Sequence, residues 1–263
     1  MAYADPTAWF AMPKRQAPDV RCRLLCLPYA GGSASSYRGW AGALLEVAQV
    51  VTVCPPGRAN RWQECAPADF ETLVDQLAQA TQILLDEPLI VLGYSMGALV
   101  GFELARRLEG QGSPPALLIA AAHLPPSIVQ PNWQPATLSD AKLIETVRKL
   151  GLTAPELLNH PEMMELLLPM LRADFVLGES YQYQAAQQLT TPILTIAGNQ
   201  DHGAPPDRMA GWAQESVSWT AAEIDGGHMF LNTHSAELQQ LVRQAIQAAV
   251  YDVARDGGAG HAD

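Results

Sequence analysis

A serine between two glycines is the pattern with the clearest chemical potential in this chain. The segment Gly93-Tyr-Ser-Met-Gly97 matches G-x-S-x-G and lies between an apolar run at 89–92 and a helix-forming stretch at 96–109. A strand, a sharp turn and a helix in that order expose the serine hydroxyl at the helix N-terminus, where backbone N–H groups stabilise negative charge. We therefore expect Ser95 to act as a nucleophile. The alternative is an ordinary turn in which Ser95 only caps the helix.

A serine hydroxyl becomes a good nucleophile only when a base accepts its proton. Of the six histidines, His228 is best placed, because its segment at 225–231 (Asp-Gly-Gly-His-Met-Phe-Leu) contains two glycines and precedes a predicted C-terminal helix at 236–250. His234 is near enough to compete, but it falls at the start of that helix. Of the remaining histidines, we expect His123 to line the pocket, His160 and His202 to lie at the surface, and His261 to belong to the tail.

A carboxylate must orient the imidazole and stabilise its charged form. Asp201 follows a predicted buried strand at 192–197, and catalytic groups collect at the carboxyl ends of parallel strands. The chain order serine, aspartate, histidine is also the order expected of α/β-hydrolases. Asp207 and Asp174 are weaker candidates. Asp207 is expected to cap the next helix, and Asp174 lies in a segment that interrupts the alternation of strands and helices.

The attack creates a negatively charged oxygen, which needs two N–H donors. The amide of Met96, the residue after the nucleophile, is expected to supply one. The amide of Ala30 is expected to supply the other, because the segment Pro28-Tyr-Ala-Gly-Gly-Ser33 follows an early strand and its glycines permit a tight turn. A phosphate-binding loop is the competing interpretation of this segment, but the lysine and the Ser/Thr that such a loop requires are absent.

Composition disfavours several other classes of function. The formal net charge of −11 disfavours nucleic-acid binding, which needs a basic surface. No apolar stretch reaches the roughly 18 residues needed to span a bilayer, and the N-terminus lacks the basic and apolar regions of a signal peptide. The four cysteines, Cys22, Cys26, Cys54 and Cys65, have neither metal-site spacing nor the density of a disulfide framework. We expect free thiols, no metal, no cofactor, no membrane contact and a cytoplasmic location.

These residues must be positioned by an α/β domain. Apolar runs predict strands at 21–28, 47–54, 89–92, 117–122 and 192–197, and apolar spacing predicts helices at 36–45, 70–85 (capped by Asp69), 96–109 and 236–250. Strands that are apolar along their whole length are typical of a mainly parallel sheet with helices on both faces. The predicted organisation is a strap at 1–20 anchored by Trp9 and Phe10, a core at 21–124 and 191–252, a proline-rich helical insertion at 125–190, and a disordered tail at 253–263.

Several motifs together resemble one family, the type II thioesterases, which are free-standing α/β-hydrolases that accompany nonribosomal peptide and polyketide synthases. The resembling segments are Leu27-Pro-Tyr-Ala-Gly-Gly-Ser33, Pro56-Gly-Arg-Ala-Asn-Arg61, Gly93-Tyr-Ser-Met-Gly97, Phe102-Glu-Leu-Ala-Arg106, Leu171-Arg-Ala-Asp-Phe175, Glu179-Ser-Tyr181 and Gly226-Gly-His-Met-Phe230. The resemblance implies an α/β-hydrolase fold in which the insertion is a lid over an acyl chamber. It also implies hydrolysis of acyl groups from the phosphopantetheine arm of an acyl or peptidyl carrier protein, in a transient encounter with a monomeric enzyme.

The sequence departs from the family pattern at two positions. Tyr94 stands where histidine is common, and Met229 stands where an aromatic residue is common. Both changes are expected to alter the pocket and its acyl preference rather than the triad. The insertion also carries an apolar run for which core packing and pocket lining are equally good interpretations: Leu166, Leu167, Leu168, Met170, Leu171 and Phe175.

Carrier proteins are typically acidic and so is this chain, so docking requires a local basic patch. The candidate patches are Arg58 with Arg61, or Arg15 with Arg21 and Arg23. Two other functions stay open from the residues alone. A lipase, esterase or acyltransferase acting on small free substrates uses the same triad. A binding module retains the fold without catalysis.

Overall fold

The computed structural model describes residues 6–12, 19–128, 134, 137–149 and 160–252. The strands are β1 (Phe10–Ala11), β2 (Arg23–Leu27), β3 (Gln49–Val53), β4 (Leu89–Tyr94), β5 (Leu117–Ala121), β6 (Ile193–Gly198) and β7 (Trp219–Ile224). They form one seven-stranded sheet in the order β1-β3-β2-β4-β5-β6-β7. All neighbours pair in parallel except β1, which is antiparallel to β3. The predicted mainly parallel sheet is confirmed.

Side chains of the central strands alternate between two apolar cores. In β2, Leu25 and Leu27 face one core, whereas Leu24 and Cys26 face the other. All four are almost fully buried, because helices cover both faces of the sheet. This double burial explains why the strands are apolar throughout instead of alternating with polar residues.

Helices lie on both faces of the sheet. Their bounds are α1 (Trp40–Ala43), α2 (Phe70–Thr81), α3 (Met96–Gly110), α4 (Asp140–Lys149), α5 (Pro161–Ser180), α6 (Pro206–Met209), α7 (Phe230–Thr233) and α8 (Ser235–Ile246). Short 3-10 helices are formed by Pro6–Trp9, Ala34–Tyr37, Ala59–Arg61, Gln82–Leu84 and Ala210–Gln214, and α8 continues as a π-helical segment, Gln247–Asp252. Helices α2 and α3 pack in one core, and α1 and α8 pack in the other.

The predicted helices are present, but one of them is divided. Asp69 caps α2 as expected, since its carboxylate accepts a hydrogen bond from the Thr72 amide at 2.7 Å. The helix predicted at 36–45 is wrong as a single element. Gly39 has a φ of 87°, a left-handed conformation that separates the preceding 3-10 turn from α1, which begins at Trp40.

The sequence did not reveal β1 and β7. β1 has only two residues and pairs through Phe10 with Val53, so the strap is not wholly irregular. Trp9 and Phe10 are both buried, as expected of an anchor. β7 lies at the edge of the sheet and most of its side chains are at least partly exposed, so it lacks the apolar run that identified the other strands.

The described part of the insertion contains α4 and α5. These two helices share a small apolar cluster in which Leu143 and Val147 of α4 meet Met164 of α5. The C-terminal end of α5 is attached to the main core, because the Ser180 hydroxyl accepts a hydrogen bond from the Phe70 amide at 3.0 Å. The insertion is therefore partly packed on itself and partly on the core.

Other expectations concern membranes, metals and domain limits. No helix in the described ranges is long and apolar enough to cross a membrane, and no three His, Cys, Asp or Glu side chains there are grouped as a metal site requires. The cysteines are free thiols, and of the four only Cys65 is exposed. The limits of the core at 21–124 and 191–252 and of the insertion at 125–190 stay predictions. The tail predicted at 253–263 lies outside the described residues.

Candidate active site

Ser95 lies in a strained turn between β4 and α3. Its φ of 54° and ψ of −123° are unfavourable for a residue with a side chain and are typical of functional turns. The Ser95 amide donates to the Ala121 carbonyl of β5 at 2.8 Å, which fixes the turn to the sheet. Glycines permit the close packing. A β-carbon at Gly97 would collide with the Leu27 carbonyl, and one at Gly93 would collide with the Gly97 backbone.

Three side chains from three strand ends meet at this turn. Ser95 follows β4, Asp201 follows β6 and His228 follows β7. The Nε2 atom of His228 lies 3.1 Å from the Ser95 Oγ, and its Nδ1 atom lies 2.7 Å from the Asp201 Oδ2. His228 and Asp201 are only 9% and 2% exposed, so water competes little for these bonds. The structure brings the three predicted residues together in the order that proton transfer from a serine requires.

Asp201 is held as a carboxylate by donors on both of its oxygens. Oδ2 faces His228, while Oδ1 accepts hydrogen bonds from the amides of Gly203 at 2.8 Å and Ala204 at 3.2 Å. Burial alone favours the neutral acid, but the interaction with His228 and the two amide bonds outweigh it and lower the pKa of Asp201. An ionised Asp201 holds the Nδ1 proton of His228 and leaves Nε2 to accept the proton of Ser95.

The loop that carries His228 is tied to β4 by Tyr94. The Tyr94 hydroxyl donates to the His228 carbonyl and accepts from the Leu231 amide at 3.2 Å. Its buried ring packs edge-on against Phe230, with the ring centroids 5.0 Å apart. One strand end therefore positions both Ser95 and the base. The sequence marks Tyr94 only as an unusual residue, and no local pattern indicates partners that are more than 130 residues away.

The turn after β2 carries Ala30, the predicted second oxyanion donor. The Gly32 amide donates to the Tyr29 carbonyl at 2.8 Å, which closes a tight turn around Ala30 and Gly31. Gly31 has a φ of 77°, so this position requires glycine. Met96 is the first residue of α3, and its amide therefore has no intrahelical partner. The roles of Ala30 and Met96 stay predictions. We call residues 29–32 the oxyanion turn.

An apolar pocket adjoins both the nucleophile turn and the oxyanion turn. Pro28 and Tyr29 form one side, and Met96 and Gly97 at the start of α3 form another. The rest of its lining is largely apolar and includes Leu27, Val53, Leu73, Leu77, Val100 and Leu177. A mainly apolar pocket that opens beside a nucleophile suits an alkyl or acyl chain.

The apolar run of the insertion divides between two environments. Three of its residues pack against the cluster shared with α4, which favours the core interpretation for them: Leu167, Leu168 and Phe175. Leu171 is buried, Met170 is partly buried, and the side chain of Leu166 lies outside the description. Among the described residues of the insertion, those that line the pocket are instead Asp174 and Leu177.

The predicted basic patch at Arg58 and Arg61 is wrong. Both residues are buried, with relative exposures of 6% and 4%. Arg58 forms a two-pronged ion pair with Asp174 of α5, and Arg61 pairs with Glu64 and donates to the Cys54 carbonyl at 2.8 Å. Their charges are neutralised inside the protein, so they are not presented to a partner.

The described residues of the second candidate patch, Arg21 and Arg23, lie at the opposite end of the strands from the triad. Arg15 is outside the described residues. Arg21 precedes β2 and is exposed, whereas Arg23 begins β2 and pairs with Asp86. Both lie at the amino end of β2, but the site is built at the carboxyl ends of the strands. This placement does not favour them as carrier contacts.

The competing candidates for base and acid have other partners or are exposed. The His234 Nδ1 lies 2.8 Å from the Thr233 hydroxyl, and Asp207 is exposed in the first turn of α6. The His123 Nδ1 lies 2.6 Å from the Leu124 carbonyl, and burial lowers the pKa of His123. His123 is not among the described residues that line the apolar pocket, so its expected place in the pocket wall is not confirmed. As expected, His160 and His202 are exposed, while His261 lies outside the described residues.

Fold and site together define a class of protein. A mainly parallel sheet carries a serine on a strained strand-to-helix turn, an acid after β6 and a histidine after β7, which is the arrangement of the α/β-hydrolases. The family model for the thioesterase domain matches residues 22–248. The chain therefore belongs to the thioesterase family, and it is a hydrolase of the α/β-hydrolase type that acts on thioesters.

Two relatives and one solved structure illustrate the similarity. The gramicidin S biosynthesis protein GrsT of Aneurinibacillus migulanus is 34% identical over 87% of this chain and 90% of its own length. The linear gramicidin dehydrogenase LgrE of Brevibacillus parabrevis is 34% identical over 94% of this chain and 95% of its own length. The structure of BorB, a type II thioesterase from the borrelidin biosynthetic cluster, matches with a TM-score of 0.84 at 30% identity, covering 91% of this chain and 98% of that one. The predicted resemblance to type II thioesterases is confirmed.

Proposed function

We propose that this protein hydrolyses acyl groups from the phosphopantetheine arm of carrier proteins in a nonribosomal peptide or polyketide synthase, and so clears stalled or wrongly primed units. The observation that carries the proposal is the hydrogen-bonded series Asp201, His228 and Ser95 beside an apolar pocket. The relatives support the substrate class, since GrsT is named for gramicidin S biosynthesis and BorB is a type II thioesterase of a biosynthetic cluster.

In the first half of the proposed reaction, the serine attacks the thioester carbonyl. His228 accepts the Ser95 proton as the Oγ–C bond forms, and Asp201 stabilises the resulting imidazolium. The amides of Ala30 and Met96 hold the negatively charged oxygen of the tetrahedral intermediate. When this intermediate collapses, the C–S bond breaks, His228 gives its proton to the pantetheine sulfur, and the acyl group stays on Ser95.

In the second half, water releases the acyl group as a free acid. His228 takes a proton from the water molecule while the water oxygen attacks the acyl-enzyme carbonyl, and the same two amides hold the new oxyanion. The C–Oγ bond then breaks, and the proton returns to Ser95. The acyl chain occupies the apolar pocket during both halves. Every proton is carried by the triad or by water, so we expect the reaction to need no cofactor.

The carrier protein must approach the carboxyl edge of the sheet, because the nucleophile opens there. Two exposed cations follow strands at this edge: Arg38 after β2 and Arg208 in α6 after β6. They replace the buried Arg58 and Arg61 as candidate contacts for an acidic carrier. We expect the complex to be transient, and the enzyme to be monomeric and cytoplasmic.

Two other activities deserve comparison with this proposal. An esterase acting on small oxygen esters uses the same triad, so only a substrate comparison separates it from a carrier thioesterase. The name of LgrE, a linear gramicidin dehydrogenase, indicates an oxidoreductase. The present sequence contains no G-x-G-x-x-G segment, the fingerprint of a dinucleotide-binding turn, so we do not extend that activity to this chain.

The proposal is tested by mass spectrometry of a panel of acylated carrier proteins before and after exposure to the enzyme. The wild-type protein is expected to remove acyl mass from carriers, and Ser95→Ala, the matched control, is expected to leave them acylated. Simple oxygen esters of the same acids should be poorer substrates by kcat/KM. Faster cleavage of the oxygen esters, or acyl release by Ser95→Ala at the wild-type rate, would refute the proposal.

A further inference from the structure

An ion pair on helix α5 is joined to the turn that carries the Ala30 amide. The Asp174 Oδ2 accepts a hydrogen bond from the Gly31 amide at 2.6 Å and another from the Arg58 Nη1 at 2.8 Å. The Arg58 Nη2 donates to the Asp174 Oδ1, and its Nη1 also donates to the Gly32 carbonyl at 2.9 Å. The two side chains therefore hold two consecutive residues of the oxyanion turn.

This contact is buried and unites three distant segments. Asp174 and Arg58 are 1% and 6% exposed, and Asp174 is separated from its partners by 116 and 143 residues of chain. Helix α5 also rests directly on the turn, because a β-carbon at Gly31 would lie 2.8 Å from the Leu171 Cδ2. Among the described residues the Arg58 Nε has no hydrogen-bond partner, so Asp174 and Gly32 orient the guanidinium.

The position of this turn matters because an oxyanion donor must be fixed before the charge develops. The Ala30 amide lies one residue before the amide that Asp174 binds. A lone buried carboxylate at this place would repel the negatively charged oxygen of the intermediate. Arg58 cancels that charge, so the pair holds the turn without opposing the reaction.

We propose that Asp174 and Arg58 are positioning residues, which couple α5 to the oxyanion turn and keep the Ala30 amide directed at the site of attack. The oxyanion site is then complete only while α5 rests on the turn. This inference rests on the proposed function only in taking Ser95 as the nucleophile and Ala30 as a donor. It does not depend on the identity of the carrier.

A fluorophosphonate probes this coupling without a carrier protein. The Ser95 Oγ forms a bond to phosphorus, fluoride leaves, the serine proton passes to His228, and the phosphoryl oxygen occupies the oxyanion site. We would measure the inactivation rate in Asp174→Asn, Arg58→Gln and the double variant. Steady-state kcat and KM for an acyl-pantetheine thioester would be measured on the same proteins.

Asp174→Asn is nearly isosteric and is expected to lower the inactivation rate and kcat by about 10- to 100-fold, with KM changed by less than about threefold. Arg58→Gln is expected to lower both rates further, because it leaves the carboxylate unneutralised. The double variant should recover part of that loss. Arg61→Gln is the matched control, since it removes a buried arginine from the same loop, and it should lower the melting temperature while kcat stays within about twofold.

Circular dichroism and melting temperature establish whether each variant is folded. If Arg58→Gln does not fold, the rates of Asp174→Asn alone test the inference. The inference is overturned if folded Asp174→Asn keeps wild-type rates, if only KM changes, or if Arg61→Gln loses as much kcat. The pair is then a structural anchor for α5. Failed carrier hydrolysis with normal phosphonate inactivation would instead refute the proposed substrate and leave this inference standing.

Discussion

Replacing Tyr94 by phenylalanine removes one oxygen atom and keeps the ring that packs against Phe230. Two backbone groups, the His228 carbonyl and the Leu231 amide, then lose their partner in a buried site. An unsatisfied buried polar group costs about 1–3 kcal/mol, so the loss of partners for two such groups should lower the free energy of unfolding by about 2–6 kcal/mol.

The larger consequence of Tyr94→Phe is expected at the base. The distance of 3.1 Å between His228 Nε2 and Ser95 Oγ depends on the loop that the tyrosine hydroxyl holds. Because a misplacement of about 1 Å can cost about 100-fold in rate, we expect kcat to fall by about 10- to 100-fold. KM should change little, because the apolar pocket is lined by other residues.

Tyr251→Phe is the matched control for this experiment. Its hydroxyl also donates to a carbonyl, that of Val47, and accepts from an amide, that of Arg21, and both of these partners lie outside the His228 loop. Urea unfolding measures the stability change, and steady-state kinetics on an acyl-pantetheine thioester measure kcat and KM. A stability loss in Tyr94→Phe with unchanged kcat, or an equal kcat loss in Tyr251→Phe, would refute the reasoning.

Three further predictions concern the acid, the pocket and the carrier. Asp201→Asn should lower kcat by on the order of 10⁴-fold by the same assay. The fold lowers the pKa of Asp201 from 3.8. The ionised Asp201 therefore stabilises the folded protein above pH 3.8, and this stabilisation is lost as the pH falls through the folded pKa. In urea unfolding, the Asp201→Asn protein should consequently lose less stability than wild type when the pH is lowered through this range. Val100→Phe fills the pocket and should lower kcat/KM for long acyl chains about tenfold relative to acetyl, measured on matched thioesters. Reversing the charge of Arg38 or Arg208 should raise KM for acylated carrier proteins at low salt and leave KM for acyl-pantetheine unchanged. Equal changes in KM for both substrates would contradict carrier docking at this edge of the sheet.

The central strands and the triad positions could be predicted because their signals are local. β4 is buried at every residue, so its apolar run is visible without knowledge of its neighbours. The glycines beside Ser95 are required by backbone contacts of the same turn. Asp201 and His228 each follow a strand end, where the topology of a parallel sheet brings distant segments together.

The features that were missed or misread depend on a distant partner, on a position at the edge of the sheet, or on a backbone turn that apolar spacing does not reveal. Arg58 looks like a solvated arginine in its own segment, and only Asp174, 116 residues away, makes it a buried ion pair. β7 is an edge strand with exposed side chains, so its sequence carries no apolar run. The helix expected at 36–45 is divided at Gly39, whose left-handed conformation depends on the local turn.

The central claim is that His228 makes the Ser95 hydroxyl reactive. Its most direct test is kcat/KM of His228→Ala on an acyl-pantetheine thioester, a substrate that needs no carrier docking. We predict a loss on the order of 10⁴- to 10⁶-fold in a protein with an unchanged circular dichroism spectrum. A folded His228→Ala variant that stays within about tenfold of wild type would contradict the account.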